Sequence, residues 1–263
     1  MPHPLPLHHS LSGPTDAPLL VLGPSLGTTT RVWSAQVPAL GRTFRVVAFD
    51  LPGHGGSGTQ GLPPAGATTV GDLAGRVLEL VDGLRYERFH YAGISLGGAI
   101  GARLAADVPG RVTSLALVCS SARFGPPEPW RERAALVRSR GMAPLTATAP
   151  GRWFAGPGTA GTPLGRALLR DLAAIEPAGY AACCDALATY DLRPALGRIT
   201  APTLVVGGAL DTATPLPHAR ELGAGIPRAT VESIGTGHLA LEEPRAVMEL
   251  LLAHLGRIAT PSP

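Results

Sequence analysis

The sequence predicts an α/β fold: a mostly parallel central sheet with helices on both faces and an inserted helical cap. Two observations predict it. Short apolar runs alternate with helix-period patterns over most of the 263 residues, the rhythm of strand–helix–strand crossovers. From about Phe124 to Arg193 that rhythm stops, and several Pro- and Gly-bounded helical patterns follow one another with no convincing strand. The implied division is a core of residues 1–123 and 194–263 with a cap of residues 124–193.

Taken in order, Leu19 to Gly23 reads as a buried strand, followed by a Gly/Ser/Thr loop and a helix around Val32 to Leu40. Phe44 to Phe49 is the next strand and ends in a Gly-rich turn. Val70, Leu73, Val77, Leu80, Val81 and Leu84 fall on one face of a helix. Phe89 to Ile94 is a strand, and the helix Leu96 to Val108 stops at Pro109-Gly110. Val112 to Cys119 is a further strand. After the cap, the alternation resumes with the strand Thr203 to Gly207 and a helix near His218 to Ala224. Ala229 to Ile234 is the last strand, and a final helix runs from Glu242 to Ile258.

Composition excludes several function classes. The apolar share is 45%, which supports one sizeable core despite 34 glycines and 27 prolines. All 22 basic residues behind the formal charge of +3 are arginines. They are scattered rather than striped, which argues against nucleic acid. No apolar run reaches the length of a membrane span, and Met1 to Ser10 lacks a signal-peptide pattern. Cys119, Cys183 and Cys184 form no disulfide framework or metal-ligand spacing. The expectation is a cytoplasmic protein with free thiols and neither metal nor cofactor.

Gly93-Ile94-Ser95-Leu96-Gly97 matches G-x-S-x-G. In a nucleophile elbow the serine sits at a sharp strand-to-helix turn, and flanking glycines remove side chains that would clash with neighbouring backbone. So Gly-rich a chain meets the pattern by accident too. Here, however, an apolar strand precedes it and an amphipathic helix follows at once.

A serine hydroxyl needs a base, and His238 is the candidate. It follows the last strand in the loop Gly235-Thr236-Gly237-His238. Of the others, His3, His8 and His9 read as an unanchored N-terminus. His90 lies within a strand, His254 on a helix, and His218 at a solvated helix start. His54, in Gly53-His54-Gly55, reads as a structural hydrogen-bonding residue. The third member is Asp211, a few residues after the strand Thr203 to Gly207, and it gives the order Ser…Asp…His. The plain alternative for Asp211 is a helix cap near Pro215. An oxyanion needs two backbone donors. The Leu96 N–H is one; the loop Pro24-Ser25-Leu26-Gly27 supplies the other, from Leu26.

These residues resemble the 3-oxoadipate enol-lactonases, which are α/β-hydrolases, over nearly the whole chain. Four stretches carry the resemblance: Ser25 to Thr28 with Trp33; Gly93 to Gly98; Ser121 to Pro126 with Trp130; and Gly179 to Cys184. Asp211 to Pro215, His238 to Pro244 and Arg152-Trp153-Phe154 are similar as well. The chain departs from that family at Pro24 and at Leu51-Pro52. Some members carry a fused decarboxylase domain; none is expected in 263 residues.

The resemblance implies opening of a small carboxylate-bearing enol-lactone through an acyl-enzyme. The free carboxylate calls for a cation. Arg133, three residues after Trp130 and so on its helical face, comes first. Arg152 beside Trp153 comes second. A solvated helix face is the plain alternative for either arginine, and ordinary cap core for the aromatics. Other ester or lactone hydrolysis with the same triad stays open, as do carbon–carbon bond hydrolysis and a non-catalytic binding protein. Dehalogenation is disfavoured, because the elbow presents Ser95 and not an aspartate.

Overall fold

The computed structural model describes residues 6–259. The strands are β1 (His9–Ser12), β2 (Leu19–Gly23), β3 (Arg45–Phe49), β4 (Phe89–Ile94), β5 (Val112–Val118), β6 (Thr203–Gly208) and β7 (Ala229–Ile234). The helices are α1 (Val37–Leu40), α2 (Val70–Gly83), α3 (Leu96–Asp107), α4 (Pro127–Arg140), α5 (Ala143–Trp153), α6 (Pro157–Ala160), α7 (Pro163–Ala173), α8 (Pro177–Thr189), α9 (Leu216–Gly225) and α10 (Pro244–Ala259). Short 3-10 turns occupy Thr30–Trp33 and Arg193–Arg198.

One seven-stranded sheet runs in the order β1-β3-β2-β4-β5-β6-β7. Every pairing is parallel except β1 with β3. Registers such as Gly23 with Gly93, Val118 with Val206 and Gly208 with Ile234 bring the carboxyl ends of β2, β4, β5, β6 and β7 to one rim. Ligands of open α/β sheets gather at such a rim. The central strands β2, β4 and β6 are buried along their whole length. That is why β2 and the middle of β6 read as continuous Val/Leu runs and β4 as a largely apolar segment, rather than alternating ones. Between β5 and β6 the chain makes five helices, α4 to α8, with no strand among the described residues.

The elements match the expected ones closely, with three corrections. The single helix expected around Val32 to Leu40 is a 3-10 turn and a separate one-turn helix, α1, with Pro38 in its first turn. The N-terminal segment is anchored: β1 pairs antiparallel with β3, and His8 Nδ1 lies 2.7 Å from Asp50 Oδ2. His3 lies outside the described residues. His218 is not merely solvated, since its Nδ1 is 2.6 Å from Ser121 Oγ.

α3 sits unusually close to the sheet because glycines face one another. A Cβ on Gly97 would come within 2.4 Å of Gly23 C and O, and one on Gly93 within 2.3 Å of Gly97 C and O. The buried Tyr91 hydroxyl donates to Gly97 O (2.8 Å), and Trp33 Nε1 donates to Gly23 O (3.0 Å), which locks the approach from both sides. Gly97→Ala is therefore expected to lower stability by ~1–3 kcal/mol or more through overpacking. Gly75→Ala, in α2 with nothing near its added carbon, is expected to raise it by ~0.5–1 kcal/mol. Urea midpoints of the two variants check the contrast.

Candidate active site

The sharp turn from β4 into α3 holds Ser95 at φ 55° and ψ −117°, left-handed backbone for a residue with a side chain. Such a conformation costs on the order of 1–3 kcal/mol. Here it is offset by backbone bonds on both sides: Ser95 N–H donates to Val118 O (2.9 Å), and Ser95 O accepts from Ala99 N–H and Ser120 Oγ–H. The turn aims the hydroxyl over the rim while leaving Ser95 only 5% exposed.

His238 reaches this hydroxyl from the loop after β7, and Asp211 comes from the loop after β6. His238 Nε2 is 2.9 Å from Ser95 Oγ, and His238 Nδ1 is 2.9 Å from Asp211 Oδ2. The three residues lie far apart in the chain, so only the sheet brings them together. An ionised carboxylate can only accept, so the network assigns the imidazole proton to Nδ1 and leaves Nε2 to accept from the serine.

Asp211 is ionised by construction. Burial opposes its charge. Hydrogen bonding and charge from His238, with bonds from the Thr214 hydroxyl and amide, outweigh burial and hold its carboxyl at about 2. Thr214 Oγ1 donates to Oδ2 (2.6 Å), while the Ala213 and Thr214 amides donate to Oδ1 (2.7 and 3.0 Å).

The two expected oxyanion donors come from two different segments, the start of α3 and the loop after β2. Leu96 is the first residue of α3, so its N–H has no acceptor within the helix and sits at the positive end of the helix dipole. Leu26 belongs to a tight turn, Ser25 to Thr28, closed by Thr28 N–H donating to Ser25 O (3.1 Å) with Gly27 at φ 87°. Thr28 Oγ1 also donates to Ser25 O (2.9 Å). That carbonyl shares a trans peptide with the Leu26 N–H, so fixing one direction fixes the other.

His54 holds the next peptide: its Nε2 accepts from Gly27 N–H (3.2 Å), while its Nδ1 faces Pro52 O (2.9 Å). Burial keeps this imidazole neutral, with its pKa lowered to about 4. The expected structural hydrogen-bonding role of His54 is thus present, and its place is the turn from Ser25 to Thr28.

A cavity of about 260 Å³ opens onto Ser95 and His238. Trp130, Arg133, Arg152 and Trp153, the four substrate residues expected from the sequence, all line it together with Leu26. Arg133 Cζ lies 4.6 Å from the Trp130 ring centroid, a cation–π contact on one face of α4. Neither Arg133 nor Arg152 pairs with a carboxylate among the described residues. Arg152 Nε is buried without a hydrogen-bond partner. Burial and the neighbouring Arg133 both depress the Arg152 pKa, with Tyr180 acting in the other direction. The wall is thus positive and unneutralised.

Sequence reasoning did not single out Tyr180, Leu187, Thr212 or Ala213, which also line the cavity. Tyr180 carried a signal, since it lies within the resemblance segment Gly179 to Cys184, and Thr212 and Ala213 lie within the similar segment Asp211 to Pro215; Leu187 carried none. Cys119, Cys183 and Cys184 are buried and unpaired, as expected of small apolar residues. No group of residues able to hold a metal occurs among the described residues, and no described helix is long and apolar enough to cross a membrane.

Comparison with known proteins places this geometry. The sequence pattern of the alpha/beta hydrolase family matches residues 20–250. The chain belongs to that family. It is 35% identical to 3-oxoadipate enol-lactonase 2 of Acinetobacter baylyi, over 91% of this chain and 89% of the relative. It superposes on the crystal structure of the enol-lactonase from Burkholderia xenovorans LB400 with a TM-score of 0.89 and 35% identity, covering 95% and 96% of the two chains. It is also 30% identical, over 98% of each chain, to a candidate carbamate hydrolase, RutD, of Variovorax paradoxus. Membership in this family and the likeness to enol-lactonases make the chain a hydrolase of the serine type.

The depressed Asp211 carboxyl has a consequence for acid stability. Its folded pKa lies below its unfolded value, so the stabilisation is complete above the ordinary value of 3.8 and is lost as pH falls through about 2. Asp211→Asn should remove a contribution on the order of 2 kcal/mol from the difference in unfolding free energy between neutral pH and pH about 2. Urea unfolding at the two pH values checks it; an unchanged pH dependence in the variant refutes the assignment.

Proposed function

We propose that this hydrolase opens a small enol-lactone bearing a carboxylate, converting 3-oxoadipate enol-lactone to 3-oxoadipate in aromatic-compound breakdown. One observation carries the reading beyond ester hydrolysis in general: two arginines without acidic partners, Arg133 and Arg152, line the same small cavity as Ser95. Arg152 is half-buried and bonds Tyr180, but its Nε is buried with no acceptor; an unmet buried donor is costly unless a ligand supplies the acceptor, and a carboxylate is its natural complement. The likeness to enol-lactonases supports the same substrate class.

In this mechanism Ser95, Asp211 and His238 are the catalytic triad. As the lactone carbonyl arrives, His238 Nε2 takes the Ser95 proton and the oxygen attacks the ring carbonyl carbon. The Leu26 and Leu96 amides donate to the oxyanion. Asp211 stabilises the imidazolium and stays ionised throughout. Collapse breaks the ring C–O bond and expels an enolate. That is a better leaving group than an alkoxide, so little acid assistance is needed; the enolate takes up the proton that His238 holds, which gives the ketone and returns the imidazole to neutral. The opened chain remains an ester of Ser95 until His238 deprotonates a water; the hydroxide attacks the ester carbonyl, His238 returns the proton to Ser95 Oγ as that bond breaks, and the released acid ionises to solvent.

Helices α4 to α8 act as the cap of this site (residues 124–193), and α4 and α5 bring Trp130, Arg133, Arg152 and Trp153 over the nucleophile. The unpaired cysteines suit a reducing compartment, the cytoplasm.

Two measurements test the proposal. Wild-type protein should turn over a neutral activated ester, and Ser95→Ala should lower kcat by roughly 10⁴ or more; equal rates refute the serine mechanism. On the enol-lactone, followed by loss of its ultraviolet absorbance, Arg152→Met should raise KM by roughly 10–100-fold with a smaller change in kcat, while the neutral ester is spared. Faster turnover of uncharged lactones or of carbamates than of the enol-lactone would reassign the substrate.

A further inference from the structure

Glu242 lies four residues past His238, ahead of α10, where an acidic residue reads as a helix-start charge. Its carboxylate is engaged elsewhere. Oε2 accepts from the Thr236 hydroxyl (2.8 Å) and the Gly237 amide (3.1 Å), the two residues just before His238. Oε1 accepts from the Ala155 amide (2.9 Å), two residues after Trp153. One side chain therefore bridges the loop that carries the base to the end of the helix that carries Arg152 and Trp153.

The surrounding backbone shows the same joint. Leu239 N–H donates to Trp153 O (3.2 Å). Gly237 has no room for a side chain, since a Cβ there would lie 2.5 Å from Ala155 N and 2.8 Å from Phe154 C. Segments 153–155 and 236–239 are thus in direct backbone contact. Glu242 supplies both remaining links, and those three bonds, working against burial, hold its carboxyl below the usual range. A charged acceptor shared by three donors is a stronger tie than neutral bonds.

We propose that Glu242 is a positioning residue: it fixes His238 and the Arg152–Trp153 wall relative to each other, so that base and substrate wall move as one unit. The claim goes beyond the reading of the substrate, though it takes His238 as the base. The geometry specifies what a substitution does. Glu242→Gln keeps the shape but places an amide NH₂ where one arm needs an acceptor, so either the 155 side or the 236–237 side loses its partner.

The test compares wild type, Glu242→Gln and Thr236→Val, which deletes a donor from the loop side alone. Hydrogen exchange is read on peptides spanning 153–156 and 236–240, and kcat and KM on a neutral activated ester. In Glu242→Gln both peptides are expected to exchange faster together. The kcat should fall about ten-fold or more while KM stays within about two-fold, because the reacting geometry loosens and ground-state binding does not. Thr236→Val should show the same pattern at smaller amplitude. Loosening of one peptide without the other, in either variant, overturns the coupling. A lowered melting temperature with unchanged kcat overturns the positioning role. If the wild type fails to turn over the ester, the functional reading falls, and hydrogen exchange alone decides the coupling.

Discussion

Everything at the rim depends on how closely α3 lies against β2 and β4. A helix normally keeps its axis 8–10 Å from its neighbours because side chains intervene; at Gly23, Gly93 and Gly97 there are none to intervene. Backbone therefore packs on backbone, the turn at Ser95 closes into a left-handed conformation, and the hydroxyl is pushed out over the strand ends. The same approach places the free Leu96 amide beside it. The positions of the Ser95 hydroxyl and the Leu96 amide are thus two results of one steric fact, and neither depends on the flexibility of a loop.

Around that fixed point the other groups are held by polar contacts that differ in kind. Asp211 is surrounded by donors and keeps its charge; His54 is buried deeply enough to outweigh its bond to Pro52 O and the pull of Asp50, and stays neutral. Each state serves its place. An anion beside His238 favours the imidazolium that forms when the serine loses its proton, whereas a neutral ring beside Gly27 leaves a lone pair to receive the amide. Elsewhere in the cavity lining two guanidiniums, Arg133 and Arg152, have no carboxylate partner among the described residues. The lining therefore carries net positive charge.

Much of this was legible in the sequence because it rests on local patterns. Burial on both faces writes β2 and β4 as largely apolar segments whose bounds are legible to the residue, and the mostly exposed β7 is bounded instead by the Pro227-Arg228 and Gly235 turns on either side. The elbow is a five-residue signature, and Asp211 and His238 follow from strand ends and chain order. Trp130 and Arg133 share a face because helical spacing puts them there. What stayed hidden rests on contacts between distant segments. β1 is four residues of mixed polarity, His9 to Ser12, whose pairing partner lies beyond β2. Thr28 and His54 matter through the orientation of one turn, which composition does not encode. Glu242 meets Ala155 across 87 positions, a bond that no local window contains.

Asp50 ties the segment leading into β1 to the loops around the site. Its carboxylate receives His8 Nδ1 and the Thr30 and Gly56 amides, while its own carbonyl accepts from Ser57 Oγ. His8 is in this way stapled to the loops that hold Thr30 and Gly56. For anyone building hybrid proteins the two ends are consequently unequal: cargo appended ahead of His8 pulls on a brace that reaches the loop after β2, whereas cargo appended behind α10 hangs from a helix packed on β5 and β6.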